Sequence, residues 1–286
     1  MLKVAGIQFA CSKDKEKNTD TALALAEMAV GKEAQILCFQ ELFNLRWFPS
    51  DTISAEAFAL AEPVEGKTIS LMKDFAKKNK VVVVCPFFEK ANDGVYYNSA
   101  AVIDADGMLL GLYRKTHIPE IPYWHEKHFF KPGNLGFPVF KTCYAKIGIE
   151  ICWDIFFPEV SRILAYKGAQ IIFAPTASDS VPSMPKWEKT LAANAITNGV
   201  FMFRVNRVGK EEFHEFYGNS FCLNPDGDII CGPSGMNDGI LVAETELTQI
   251  SETRRIWPFL RDRREEIYGE LTGFSWVNNC DIPEEE

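Results

Sequence analysis

The octapeptide from Val81 to Phe88 is apolar at every position. No other segment limits so strongly what this chain can fold into. It is far too short to span a membrane. Read as a strand, it is buried on both faces, as strands are in sheets covered on each side by another layer.

The remaining pattern supplies the layers. Leu2–Ala10 reads as a strand, with Asn18 or Thr19 as the cap of a helix running to Val30. Gln35–Gln40 is a strand leading to Glu41, and Ile69–Lys78 has helical spacing with Leu71, Met72, Phe75 and Ala76 apolar. Tyr96–Asp104 and Met108–Tyr113 flank Ala105-Asp106-Gly107 as a hairpin. From Thr116 to Pro138 the chain is irregular and rich in Pro, Gly, His and aromatics, the kind of long loop that tends to be functional. Strands follow at Gln170–Ala174, Val200–Val205, Asn219–Leu223, Asp228–Cys231 and Ile240–Glu244. Helices are expected at Lys186–Asn198 and Leu247–Arg254. Neither a linker nor an internal repeat divides the 286 residues. The expectation is one α/β domain over residues 1–286, a layered sandwich mixing parallel connections with hairpins.

Composition narrows the function. Hydrophobic residues at 47% and charged residues at 24% are ordinary for a globular chain. A net charge of -9 with no compensating basic stripe excludes nucleic acid as a partner. The short clusters Lys77-Lys78-Asn79-Lys80 and Arg261-Asp262-Arg263-Arg264 read as solvated helix faces. Eight cysteines (11, 38, 85, 143, 152, 222, 231 and 280) form no CxxC pair, so most read as small core residues. The N-terminus enters Val4–Phe9 without a secretory layout, so a cytoplasmic location with no membrane partner is expected.

Chemistry centres on Ile147–Asp154. The segment alternates Ile with Gly and Glu, then reaches Cys152 just where the apolar run stops and a helical pattern begins at Val160. A thiol at such a turn can be exposed and activated by nearby backbone N–H groups; a buried structural cysteine is the plainer alternative. Glu41 and Lys115 also directly follow apolar strands, and ligands of open α/β sheets bind beyond the carboxyl ends of strands. Placement alone does not distinguish a catalytic trio from three loop residues.

With those residues in view, the chain resembles the nitrilase (carbon–nitrogen hydrolase) superfamily. The resemblance rests on Phe39-Gln40-Glu41-Leu42, on Tyr113-Arg114-Lys115-Thr116-His117-Ile118-Pro119, and on Gly148–Asp154 with Phe157-Pro158-Glu159. Lesser matches include Tyr97-Asn98-Ser99-Ala100, Pro132-Gly133-Asn134 and Asn206-Arg207-Val208-Gly209. The resemblance implies a four-layer α-β-β-α sandwich that pairs into a homodimer or a larger homo-oligomer. Contacts would come from the helix around Pro158–Lys167 and the tail from about 257 to 286. It further implies hydrolysis of a carbon–nitrogen bond in a small molecule without metal or cofactor. Glu41 would act as general base and acid, and Cys152 as nucleophile. Lys115 and the Trp153 N–H would hold the oxyanion. Glu126, in His125-Glu126-Lys127-His128-Phe129, would be the fourth polar residue.

For the substrate, Ile155 and Phe156 stand where relatives acting on carboxylates often place arginine, although Arg204 or Arg207 could still meet an anion. Tyr113–Gly133 is most similar to the N-carbamoylputrescine amidase branch, with Glu120 at the pocket mouth for a cationic tail and Thr176 among the substrate contacts. The expected order is a carbamoyl amine or small linear amide, then an N-carbamoyl amino acid, then a nitrile. A non-catalytic scaffold is the rival from another class. His125 and His128 lack zincin spacing and, in sequence, an accompanying carboxylate set.

Overall fold

A computed structural model describes residues 1–50 and 55–273. Cys280, the acidic end and the last part of the expected dimer tail lie outside them. In chain order the elements begin with β1 (Leu2–Gln8), α1 (Lys15–Gly31), β2 (Ile36–Phe39), α2 (Ala55–Phe58), α3 (Lys67–Asn79), β3 (Val82–Asn92), β4 (Val95–Ile103) and β5 (Leu109–Arg114). Next come β6 (Glu120–Ile121), β7 (Trp124–His125), β8 (Phe140–Lys141), β9 (Lys146–Ile149), α4 (Pro158–Tyr166) and β10 (Ile171–Pro175). The remaining strands and α-helices are α5 (Met184–Asn198), β11 (Phe201–Val205), β12 (Val208–Glu211), β13 (His214–Tyr217), β14 (Phe221–Leu223), β15 (Ile229–Cys231), β16 (Gly239–Thr245), α6 (Thr248–Ile256) and α7 (Glu270–Gly273).

Two six-stranded sheets form, ordered β16-β1-β2-β3-β4-β5 and β15-β14-β11-β10-β9-β8. Helices α1 and α3 pack on the first sheet, α4 and α5 on the second, and the sheets face each other through β1 with β11 and β2 with β10. The result is the expected α-β-β-α sandwich.

The apolar runs explain why. In β3, Val82 and Val84 enter the core between the sheets while Val83, Cys85 and Phe87 enter the core under α1 and α3. β2 splits the same way, Ile36 and Cys38 inward and Leu37 and Phe39 outward. A period of two with apolar residues on both faces fits only a strand covered twice. At Gly6 a Cβ would come within 2.9 Å of the Phe203 and Val205 side chains, so a small residue sets how closely the sheets approach.

Three local expectations are corrected. The cap of α1 is Asp14, which accepts from the N–H groups of Glu16 and Lys17. Asn18 is instead buried, binding Ser12 and the Asn44 carbonyl. β3 continues past Phe88 and turns through Asp93-Gly94 into β4, with Gly94 at φ 74°. The Thr116–Pro138 segment holds a small β6–β7 hairpin and a 3-10 turn over Glu126–His128.

Strand direction then sets the site. β2 and β3 run parallel to β1, and β4 and β5 reverse in turn, so β2 and β5 end on the same side. β9 and β10 are also parallel. Glu41, Lys115 and Cys152 each follow one of these strand ends.

Candidate active site

The Gln40 side chain holds the approach to Glu41. It accepts from the Phe9 N–H at 2.7 Å and donates to the Phe9 carbonyl at 2.8 Å, continuing the pairing of β1 and β2 in place of backbone. The chain then turns sharply, with Leu42 at φ 47°. Arg207, fully buried, donates to the Leu42 and Leu45 carbonyls at 3.2 and 2.9 Å and pairs with Glu211 at 3.1 Å. It braces this turn and is not on the substrate cavity wall. Arg204 likewise donates to the Asn219 carbonyl and the Tyr217 hydroxyl. Neither arginine is free to meet a substrate carboxylate.

Lys115 extends β5, its N–H donating to the Asn98 carbonyl at 2.8 Å. The Pro132-Gly133 pair lies against it: the Gly133 N–H donates to the Lys115 carbonyl, and a Cβ at Gly133 would sit 2.1 Å from the Arg114 carbonyl oxygen. Only glycine fits there. The Lys115 ammonium donates to Glu41 Oε1 at 2.9 Å and to Glu126 Oε2 and Oε1 at 2.7 and 3.0 Å. Asn98 Nδ2 donates to Glu41 Oε1 at 2.7 Å. Glu41 Oε2 is buried with no hydrogen-bond partner. Glu126 opens the 3-10 turn, and Phe129 and Phe130 behind it enter a small apolar cluster with Leu42, Ile118 and Ala177. That cluster ties together the loops carrying Glu41, Glu126 and the carbonyl nearest the thiol.

Cys152 sits at φ 50°, a left-handed conformation uncommon for a non-glycine residue. Its Sγ lies 3.6 Å from the Ala177 carbonyl oxygen. Asp154 fixes the turn. Its carboxylate accepts from the Ile151 N–H at 2.9 Å, the Tyr113 hydroxyl at 2.7 Å and the His117 N–H at 2.9 Å. His117 Nδ1 lies 2.8 Å from Asp154 as well, so the lysine loop and the cysteine turn are clamped to one buried group.

The electrostatics follow from burial. Desolvation, then the Glu41 carboxylate, pushes the Cys152 thiol well above its usual range against the opposing pull of Lys115. The thiol therefore needs a base. Burial disfavours the Lys115 ammonium, but Glu126 and Glu41 together outweigh it and hold the lysine protonated. Burial raises Glu126 to about 7, with Lys115 opposing and Glu41 reinforcing.

Glu150, beside the nucleophile turn, is raised to about 8 by burial and accepts from the Ser161 hydroxyl at 2.7 Å. An unfolded glutamate titrates near ~4.3. Between these values the folded state binds the extra proton, so stability falls as pH rises from about 5 to about 8 and then levels. The stability of Glu150→Gln relative to wild type is expected to improve over that interval. Thermal melts across the range check this, and parallel curves would count against it.

A cavity of about 420 Å³ opens over Cys152 and Glu126. Trp124, Trp153, Phe156 and Trp187 form its aromatic walls, and Asp179 and Lys186 also line it. Trp153 and Phe156 belong to a 3-10 turn over Cys152–Phe156, whose three-residue period puts them on one face. The same period turns Ile155 into the core, correcting its placement in the pocket. Thr176 is also off the wall: its N–H donates to the Val205 carbonyl and its hydroxyl to the Ala174 carbonyl, leaving Ala177 to face the cavity. Glu120 is outside too. It pairs across the hairpin with His125, at 2.6 Å on the surface. Glu120, His125 and His128 bring donor atoms within 4.8 Å of one another, so a carboxylate does accompany these histidines. The cluster is surface-facing, and of the three none lines the catalytic cavity.

The carbon–nitrogen hydrolase family model matches residues 3–255. This chain belongs to the carbon–nitrogen hydrolase family. The hydrolase is 41% identical over 283 residues to an N-carbamoylputrescine amidase of Solanum lycopersicum, covering 94% of each chain. It is 34% identical to a carbon–nitrogen hydrolase of Helicobacter pylori G27, with a TM-score of 0.91 over 95% of this chain and 98% of that one. A mutant amidase of Nesterenkonia sp. AN1, 25% identical with a TM-score of 0.79 over 94% and 96% of the two chains, carries the acetamide moiety of fluoroacetamide on its active-site cysteine. The hydrolase is thus an enzyme of small-molecule carbon–nitrogen bonds other than peptide bonds.

Proposed function

We propose that the enzyme hydrolyses N-carbamoyl amines, with N-carbamoylputrescine as the leading substrate. The observation that carries this reading is the buried Glu41, Lys115, Glu126 and Cys152 group opening into an aromatic cavity. Glu41, through its unpartnered Oε2, takes the thiol proton as the Cys152 sulfur attacks the ureido carbonyl carbon. The Lys115 ammonium and the Trp153 N–H, in the first turn of a short helix where N–H groups lack helical acceptors, hold the developing oxyanion. On collapse the C–NH2 bond breaks, and ammonia leaves with the proton held by Glu41. Water, deprotonated by Glu41, then cleaves the thiocarbamate, and the released carbamate decomposes to amine and carbon dioxide. Glu126 holds Lys115 in place and offsets its charge.

Lys186 on the cavity wall favours a second reading, an N-carbamoyl amino acid whose carboxylate it could meet. Ammonia release from a panel of ureido amines, ureido amino acids, linear amides and nitriles tests the order. Equal or greater turnover of the ureido amino acids would displace the first reading.

We infer that two copies pair. Tyr166 at the end of α4 and Ile256 and Trp257 at the end of α6 are exposed, and Arg263 reaches over the Tyr166 ring. These exposed apolar side chains at the ends of α4 and α6 support a surface that a second copy would cover. Size-exclusion chromatography with light scattering should give twice the chain mass, and a monomer would refute pairing. A cytoplasmic location is supported by seven free cysteines among the described residues. No helix among those residues is long and apolar enough to cross a membrane.

A further inference from the structure

We propose that Asp179 is the ammonium-binding residue of the cavity and sets the preference for a cationic tail. The inference rests on the carbamoyl-amine reading and deepens it. Two carboxylates line the cavity, Glu126 and Asp179. Glu126 is already engaged by both of its oxygens with Lys115. Asp179 Oδ2 lies 2.6 Å from His214 Nδ1, while Oδ1 meets no protein donor among the described residues. Its side chain is 21% exposed, so it remains open to a ligand while partly shielded from water.

The carboxylate is held in place. Next to it, the Ser178 N–H donates to Asn206 Oδ1 at 2.9 Å, and the Ser178 and Tyr217 hydroxyls are 3.0 Å apart. His214 is fixed by the Trp124 ring, with centroids 4.6 Å apart, and lies 3.1 Å from the Tyr123 carbonyl oxygen through Nε2. Trp124 also walls the cavity, so the orienting histidine and the apolar wall are one packed unit.

Dimensions and chemistry agree. The Ala177 carbonyl touches the thiol, and Asp179 is two residues further, about 7 Å of extended chain. A four-carbon tail carries its ammonium about 6 Å beyond the ureido nitrogen. The methylenes would lie against Trp153 and Trp187, and the ammonium would meet both the carboxylate and the aromatic faces. The single cation on the wall among the described residues, Lys186, is exposed to solvent.

The test compares kcat/KM for N-carbamoylputrescine and for butylurea, which has the same chain without the ammonium. Wild type should prefer the cationic ureide, and Asp179→Asn should shrink that preference by about 10- to 100-fold, mainly through KM. Asp179→Glu should keep part of it. Putrescine should inhibit wild type competitively and lose affinity for D179N. A merely structural role would lower both substrates together and leave the ratio unchanged. A preference that survives in D179N overturns the subsite alone. Absence of any wild-type preference overturns the subsite and N-carbamoylputrescine as leading substrate, whereas failure to release ammonia from either ureide overturns the carbamoyl-amine reading itself.

Discussion

Cys152→Ala is expected to abolish ammonia release, lowering kcat by at least about 10⁴-fold, while the protein stays folded. Nucleophile loss in enzymes that form acyl intermediates has effects of this size. Only a sulfur is removed from a buried site, so the cost in stability should be small beside the loss of activity. The comparison also separates an enzyme from a scaffold that merely keeps the fold. Substrate should still bind to C152A, since the aromatic walls and Asp179 are untouched. Unchanged turnover in C152A would remove the thiol from the reaction.

Lys115→Met should produce the second-largest effect, and in two quantities at once. Loss of an oxyanion donor costs about 2.7–4 kcal/mol in the transition state, a fall of about 10²–10³-fold in kcat. The ammonium also holds two buried carboxylates, and removing one member of a buried ionic group typically costs about 3–5 kcal/mol of stability. The sign of the pH dependence follows. Glu126 is already raised by burial against the opposing pull of Lys115; without that ammonium its folded-state pKa rises further above the unfolded value, so stability present at acid pH is lost as pH rises. Chemical denaturation at pH 5 and pH 8 should show K115M far closer to wild type at the lower value. Adding Glu126→Gln removes one charge and should recover much of the stability at pH 8 without recovering kcat. If K115M is equally stable at both pH values, the account of the buried charge group is wrong.

Glu41, Lys115 and Cys152 were legible in the sequence chiefly through their family motifs, and each sits where an apolar strand run stops. Strand direction carries such residues to one end of the sandwich. Glu126 could be found only through its motif, since its position depends on a 3-10 turn anchored by Phe129 and Phe130 in the small loop cluster. The substrate-facing residues were harder. Ile155 and Thr176 were misplaced because local geometry, a three-residue helical period and a continued strand pairing, decides which neighbour faces the cavity. Asp179, Trp124 and Trp187 come from a loop, a two-residue strand and a helix, and no spacing in the sequence links them. Asp154 was visible beside the cysteine, yet its ties to Tyr113 and His117 exist only once the two loops pack. The β3–β4 hairpin was missed although its Asp-Gly turn is a strong signal.

The central claim is that Cys152 carries the acyl group during turnover. Acid-quenching the enzyme with N-carbamoylputrescine and mapping the digest by mass spectrometry tests it most directly. The account predicts the mass of one N-alkylcarbamoyl group on the peptide containing Cys152, absent from C152A. Steady turnover with no adduct on that peptide, or with the acyl group on another cysteine, would contradict it.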